Sequence, residues 1–480
     1  MVSCDDLDDE GAGVGSVVDA GGATVEIDGD VGRGASGGAR VRVHVAGALP
    51  GESVSAVIAH VSPHRREAWA SLRQITTASP SRRAPACRAF GVCGGCVLQH
   101  LDYGAQLRWK TARVRAVTAP HPDLAAVPIA DCVASPRSLG YRNRSKLVCA
   151  RSRFEGSPER LVLGAFAPRS HEVIDVVGGC RIAEPPLDDV AVALREVLTG
   201  CGAIPYDERT YTGDLRHAVL RVNHRGQVLV TLVTARHAWP AGLAVATALC
   251  AARPEVTGVV QNVNPARGNA IYGPDDIRLG GEATLEDAIG DVRLRLSPRA
   301  FLQANRDVAA LAYQTIARAV ALTGTEAVVD AYAGVGGIAL TLAARARTVL
   351  GIEEHEGAVA DANESALLNH AGNATFVAGG VAERLRAVDR AEVVILNPPR
   401  KGCATAVLQQ VVRLAPRTIA YLSCDPDTLA RDLAWLAPRG YRARQLTPFD
   451  MLPHTPHIEV LAVLEIQAEG PGRTGTSPRP

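Results

Sequence analysis

Hydrophobic positions along the chain follow three successive rhythms. In the first, between residues 16 and 76, they alternate. Val41, Val43 and Val45 are separated by Arg42 and His44, and after the turn GALPGE (47–52) the alternation resumes at Val54, Ala56 and Ile58. A two-residue period puts successive side chains on opposite faces of a strand. Short strands separated by Gly/Pro turns predict a small β-barrel. From 77 to 292 the pattern is mixed: strand-like runs such as QVLVTLVT (227–234) sit beside helix-like runs such as GLAVATALCAA (242–252), which predicts an α+β region. From 293 to 468 the order becomes strand, glycine loop, helix, strand, helix. Two further apolar strands, in AEVVILNPPRKG (391–402) and TIAYLSCDP (418–426), each close in a loop. This is the rhythm of an α/β, doubly wound parallel sheet. Residues 1–15 are acidic and Gly-rich, 469–480 is rich in Gly and Pro, and both are expected to be disordered.

Composition narrows the picture only a little. The 480 residues suffice for several domains, and no apolar run is long enough to span a bilayer. The acidic start MVSCDDLDDEGAG lacks the basic and apolar regions of a secretory or transit signal, so a cytoplasmic location is expected. A net charge of +1 excludes a globally basic nucleic-acid binder, and any such surface has to be local. Candidates are Arg137, Arg142, Arg144 and Lys146 in PRSLGYRNRSKL (136–147), and a basic helical stretch with Arg108, Lys110, Arg113 and Arg115. No membrane contact and no obligate protein partner is expected.

The eleven cysteines change the picture more. In a chain without an export signal, clustered cysteines indicate a metal, a cluster or a catalytic thiol rather than disulfides. CRAFGVCGGC carries Cys87, Cys93 and Cys96, and Cys180 follows far downstream in VVGGCRIAE. Four thiolates suit zinc or an iron–sulfur cluster, and spacing alone does not choose between them. Cys132 and Cys149 are alternative fourth ligands. Cys424 is different. It ends an apolar strand, just before a helix expected to begin at Asp427 or Thr428, where a helix N-terminus is expected to lower its pKa. Glu459, entering a last apolar strand, is a candidate base whose pKa apolar surroundings would raise. His454 and His457 flank a proline and are expected to order the loop before Glu459 rather than to bind metal.

Asp330-Ala-Tyr-Ala-Gly334-Val-Gly336-Gly337 stands between a strand and a helix, and Glu353 ends the next strand. Glycines there admit a ligand close to the backbone, and a carboxylate at that place accepts ribose hydroxyls. This resembles the S-adenosylmethionine fingerprint of class I methyltransferases. LNPPRKG (396–402) is also similar to the Asn-Pro-Pro of adenine amino-methyltransferases, but Arg400 stands where those carry an aromatic residue.

Taken in order, SPRAFLQAN (297–305), DAYAGVGG (330–337), LNPPRKG, LSCDPDTLARDL (422–433) and MLPHTPHIE (451–459) resemble the RNA uracil-5-methyltransferase family over about residues 15–466. The resemblance implies a Rossmann-like class I methyltransferase domain at 293–468, a central iron–sulfur and RNA-binding domain at 77–292, and a TRAM-like OB barrel at 16–76. It implies Cys424 as nucleophile toward carbon 6 of uracil and Glu459 as the base that removes the carbon 5 proton. It places Gln303, Tyr332, Gly337, Glu353 and Asn397 around S-adenosylmethionine, and a 4Fe–4S cluster, in preference to zinc, on Cys87, Cys93, Cys96 and Cys180. Many members carry Asn at the Gly337 position and Asp at the Asn397 position, and a polar side chain where this chain has Gly379-Gly380. In the barrel, Trp69 is the obvious aromatic residue. The implied partner is a structured RNA, with 23S ribosomal RNA favoured over transfer RNA.

Overall fold

The computed structural model describes residues 1–18, 41–151 and 160–467. The expected disorder of 469–480 falls outside them. The chain divides into two compact units, one of residues 1–109, 135–285 and 452–457, the other of 110–134, 286–451 and 458–480.

The first unit opens with a closed barrel of β1 (Val2–Leu7), β2 (Gly13–Val17), β3 (Arg42–Ala46), β4 (Ser53–Val61) and β5 (Glu67–Thr77), in the order β1-β2-β3-β5-β4. Val2, Cys4, Val43, Val45, Val54 and Ala68 fill it. Residues 1–15 are therefore not disordered as the composition suggested. Val2, Cys4 and Leu7 are buried, but the register shifts between Cys4 and Asp6, and this bulge hides the two-residue period among the acids. Gly15 lies so close to β1 that a Cβ there would stand 1.9 Å from the Ser3 carbonyl oxygen. The helix α1 (Tyr103–Thr118) follows.

The remainder of this unit is a seven-stranded sheet. It comprises β6 (Arg144–Arg151), β7 (Leu161–Phe166), β8 (Val173–Asp175), β9 (Leu215–Val222), β10 (Val228–Thr234), β11 (Val256–Val263) and β12 (Asp275–Gly281), in the order β12-β11-β10-β9-β6-β7-β8. The helices α2 (Pro185–Gly200) and α3 (Gly242–Ala252) share one apolar core with it, built on residues such as Leu187, Leu194, Leu220, Leu232 and Leu249.

In the second unit, a hairpin of β13 (Leu285–Ile289) and β14 (Val292–Leu296) and the helix α4 (Arg306–Val320) precede the main sheet. That sheet alternates β15 (Ala327–Ala331), α5 (Gly337–Ala343), β16 (Thr348–Glu353), α6 (Glu356–Leu368), β17 (Ala374–Ala378), α7 (Val381–Arg386), β18 (Val393–Leu396), α8 (Thr405–Leu414), β19 (Thr418–Ser423) and α9 (Pro426–Leu436). It closes with β20 (Tyr441–Phe449) and β21 (Glu459–Ile466). The order is β17-β16-β15-β18-β19-β21-β20. β15 pairs in parallel with both β16 and β18, so the winding reverses there, and a crevice opens at the strands' carboxyl ends where such sheets bind ligands. β18 is buried along its whole length and reads as an unbroken apolar run, as a strand covered on both faces must. β21 runs antiparallel to β19 and β20, a reversal that apolar content alone does not encode.

Candidate active site

The carboxyl ends of β15, β16, β18 and β19 bring four predicted positions together. Tyr332 follows β15, Glu353 ends β16, Asn397 follows β18 and Cys424 follows β19. Tyr332 takes φ +69°, a conformation that disfavours a non-glycine residue and recurs at ligand clamps. The Glu353 carboxylate accepts hydrogen bonds from the Gly334 N–H at 3.0 Å and the His355 N–H at 2.9 Å, which fixes it beneath the glycine loop. Gly337 opens α5. A Cβ there would meet the Tyr313 ring at 2.9 Å, so the space an asparagine side chain needs is taken, and any contact with a ligand is left to the backbone. Gln303 is buried in the segment between β14 and α4. Gly380 stands at the N-cap of α7, and the space a side chain at Gly379 would need is filled by Arg384.

The sequence reading passed over Asp330 as part of a motif. It is buried, one carboxylate oxygen accepts from the Ala339 N–H at 3.0 Å, and the other has no hydrogen-bond partner among the described residues. Burial pushes its pKa up to about 7. The buried Tyr313, also overlooked, lies within the electrostatic reach of both Asp330 and Glu459. Asp330 had no signal of its own beyond its place in that motif, and Tyr313 none beyond its place in an apolar pattern.

Cys424 is half-buried in a tight turn. The Ser423 hydroxyl accepts from the Asp425 N–H at 3.2 Å, and the Asp425 carboxylate caps α9 by accepting from the Thr428 N–H at 2.8 Å. Pro426 at the first helical position supports that start. Helix α9 thus begins at Pro426, one or two residues before the expected Asp427 or Thr428. The expected lowering of the thiol pKa is not found. Burial and the nearby Glu459 carboxylate push it up to about 11, against the weaker opposing field of Arg400. Glu459 opens β21 opposite Phe449, is buried, and has no hydrogen-bond partner for its carboxylate among the described residues. Burial raises its pKa to about 7, the shift anticipated for a base.

β20 is anchored beside this pair. The segment around Ile129 and Val133, remote in sequence, runs parallel to Leu446 and Phe449, and Lys110 of α1 meets Asp450 at 2.5 Å with both side chains fully buried. Lys110 is therefore not part of an exposed basic surface. Arg113 also leaves that surface, pairing with Asp427 at 2.6 Å, whereas Arg108 and Arg115 remain exposed.

In the first unit, Cys87, Cys93, Cys96 and Cys180 are half-buried free thiols. Burial raises Cys93, Cys96 and Cys180; Cys93 feels the charges of Cys180 and Cys87, and Cys96 those of Cys180 and Cys93. The Cys87 thiol lies 3.9 Å from the Gly179 carbonyl oxygen. No three His, Cys, Asp or Glu groups among the described residues are arranged to hold a metal ion. The alternative ligands lie elsewhere: Cys149 is in the core of the sheet, and Cys132 is buried near Lys110 and Asp450. His454 is held by Gln106, whose side chain accepts from the His454 N–H at 3.0 Å. Arg144 of β6 stands opposite Arg221 of β9. Burial and neighbouring cations lower Arg144 to about 10 and Lys146 to about 8. Trp69 stacks on His44 at a centroid distance of 5.3 Å.

The sequence model of the tRNA (uracil-5-)-methyltransferase family matches residues 282–467, which span the entire second sheet. An uncharacterized RNA methyltransferase of Geobacter sulfurreducens is 39% identical over 91% of this chain and 89% of its own. One from Listeria monocytogenes is 36% identical over 87% and 91%. The chain belongs to the RNA uracil-5-methyltransferase family. The fold of these methyltransferases is seen again in the crystal structure of Pyrococcus abyssi tRNA (uracil-54, C5)-methyltransferase in complex with S-adenosyl-L-homocysteine. That chain is 24% identical, with a TM-score of 0.73 over 97% of this chain and 99% of its own. Among the described residues no helix is long and apolar enough to cross a membrane.

Proposed function

We propose that this methyltransferase acts on carbon 5 of a uridine in structured RNA through a covalent adduct of Cys424. The observation that carries the reading is the pairing of Ser423 in β19 with Val460 in β21, which sets Cys424 and the buried Glu459 at the same end of neighbouring strands; burial raises Glu459 to about 7. Carbon 5 of uracil is too weak a nucleophile to take a methyl group unaided. Addition of the Cys424 sulfur to carbon 6 makes the ring an enolate and carbon 5 nucleophilic. S-adenosylmethionine, when bound, supplies the methyl group. Glu459 then takes the carbon 5 proton, the ring double bond reforms and the sulfur leaves. Tyr332, Glu353, Asn397, Gln303 and the backbone at Gly337 are the residues proposed to surround the cofactor. The orphaned Asp330 oxygen and the Glu353-braced glycine loop fit a polar ligand at that edge.

Cys87, Cys93, Cys96 and Cys180 are proposed to hold a 4Fe–4S cluster. Their all-thiolate chemistry and mutual fields fit one, and a cluster holds its thiolates farther apart than a single zinc ion does. It would tie residues 87–96 to Cys180 without entering the reaction. The barrel is proposed to be a TRAM-like module. Together with Arg144 and Lys146 it would hold RNA through phosphates more than through base stacking. The target uridine is proposed to lie in a loop, where flipping costs least. Ribosomal RNA is the first candidate. Transfer RNA is the second, because the Pyrococcus tRNA enzyme has the same architecture over nearly its whole length.

RNA containing 5-fluorouridine tests the mechanism, since fluorine cannot be removed as a proton. A methylated covalent adduct mapped to Cys424 by mass spectrometry is expected, with ribosomal or transfer RNA, whichever is the substrate. RNA and cofactor binding without an adduct would remove Cys424 from the mechanism and favour an adenine amino-methyltransferase.

A further inference from the structure

The buried Glu459 sets a difficulty for a nucleophile at Cys424: its carboxylate, burial and Asp425 all disfavour the thiolate. We propose that Arg400 is the cation that supports the Cys424 thiolate, held in place by the first two turns of α9. This rests on Cys424 being the nucleophile.

The geometry comes from one helix gripping two loops. Thr428 donates its backbone N–H to the Asp425 carboxylate at 2.8 Å, fixing the turn of Cys424, and its hydroxyl to the Arg400 carbonyl oxygen at 3.0 Å. One turn on, Arg431 donates to the Lys401 carbonyl oxygen at 3.0 Å. The buried Asp432 accepts from the Cys403 N–H at 2.8 Å and the Tyr421 hydroxyl at 2.6 Å. The loop fits so closely that a Cβ at Gly402, which has φ +73°, would lie 2.5 Å from the Arg431 guanidinium and 2.7 Å from the Asp432 carboxylate. The Arg400 backbone and the Cys424 turn are therefore parts of one hydrogen-bonded frame. Of the side chains that act on Cys424, Glu459 and Asp425 carry negative charge and Arg400 positive. Arginine stays protonated at every working pH, so its support does not titrate away. The choice of arginine after Asn-Pro-Pro, where adenine enzymes use a stacking aromatic residue, then has a chemical reason.

The test is the pH dependence of alkylation of Cys424 by iodoacetamide in the full-length protein without RNA, read peptide by peptide by mass spectrometry. Arg400→Met is expected to move the Cys424 inflection up by about one pH unit, slowing labelling about tenfold at fixed pH below it. Arg400→Lys is expected to restore most of the rate, and Glu459→Gln to move the inflection down. Thr428→Val is expected to shift it in the same direction as Arg400→Met although Arg400 is present. Buried Cys403 serves as the control: continued protection in each variant shows that the loop is folded. An unchanged Cys424 profile in a folded Arg400→Met protein overturns the proposal. Failure of the wild-type enzyme to trap fluorinated RNA instead overturns the nucleophile, so the two failures are distinguishable.

Discussion

Burial decides the chemistry of single residues here. As the proposed base, Glu459 works only when ionised, and burial raises its pKa to about 7. The rate at which a methylated adduct resolves is therefore expected to rise with pH through about 7 and level off above it, as rapid-quench single turnovers would report. Glu459→Gln is expected to form the adduct on unmodified RNA and fail to release it, so gel-stable RNA–protein complexes accumulate. Stability carries the opposite sign from that of an ion-paired acid. The folded state holds a proton on Glu459 that the unfolded chain has lost, so the contribution of this residue to stability falls as pH rises from about 4.5 to about 7 and is flat above. Glu459→Gln is expected to be more stable than wild type at pH 8, by up to about 3 kcal/mol, and equal to it below pH 4.5. Urea titrations at the two pH values would show this, and equal differences at both would contradict it.

At the scale of elements, the ends of helices and strands do the positioning. Asp425 caps α9, and losing such a cap costs about 1 kcal/mol. Asp425→Ala is expected to show that loss in urea unfolding together with a slower adduct-forming step, because the cap and the Cys424 turn share the same residue. The buried Lys110–Asp450 pair anchors the end of β20, next to Phe449, which pairs with Glu459. Lys110→Met leaves a carboxylate buried without its cation and is expected to cost about 3–5 kcal/mol. Lys110→Met combined with Asp450→Leu is expected to recover much of it.

At the scale of the whole molecule, the proposed catalytic residues and the proposed RNA contacts lie in different stretches of sequence. If Arg144 and Lys146 meet phosphates, replacing both with Gln is expected to weaken RNA binding and to reduce the slope of log affinity against log salt by about 2. S-adenosylmethionine binding is expected to stay unchanged, by calorimetry. Anaerobically purified protein is expected to contain iron and acid-labile sulfide, and Cys180→Ser to lose both while Cys424 still alkylates at the wild-type rate.

The sequence by itself determined what is local. A glycine loop between strand and helix, an acid at the next strand end, a thiol before a capped helix and alternating valines each have a short-range period or composition, and all four stand where that pattern put them. Tertiary structure decided whatever depends on partners remote in sequence. The acids of β1 hid a strand because a bulge breaks its period, and Lys110 read as a solvated cation because its partner Asp450 lies hundreds of residues away. The raised thiol pKa of Cys424 follows from the same cause. A helix terminus is visible in sequence, but the burial of Cys424 and the carboxylate of Glu459 arrive only when β21 inserts antiparallel beside β19. Electrostatics depends on distance in space, and the chain records only distance along itself.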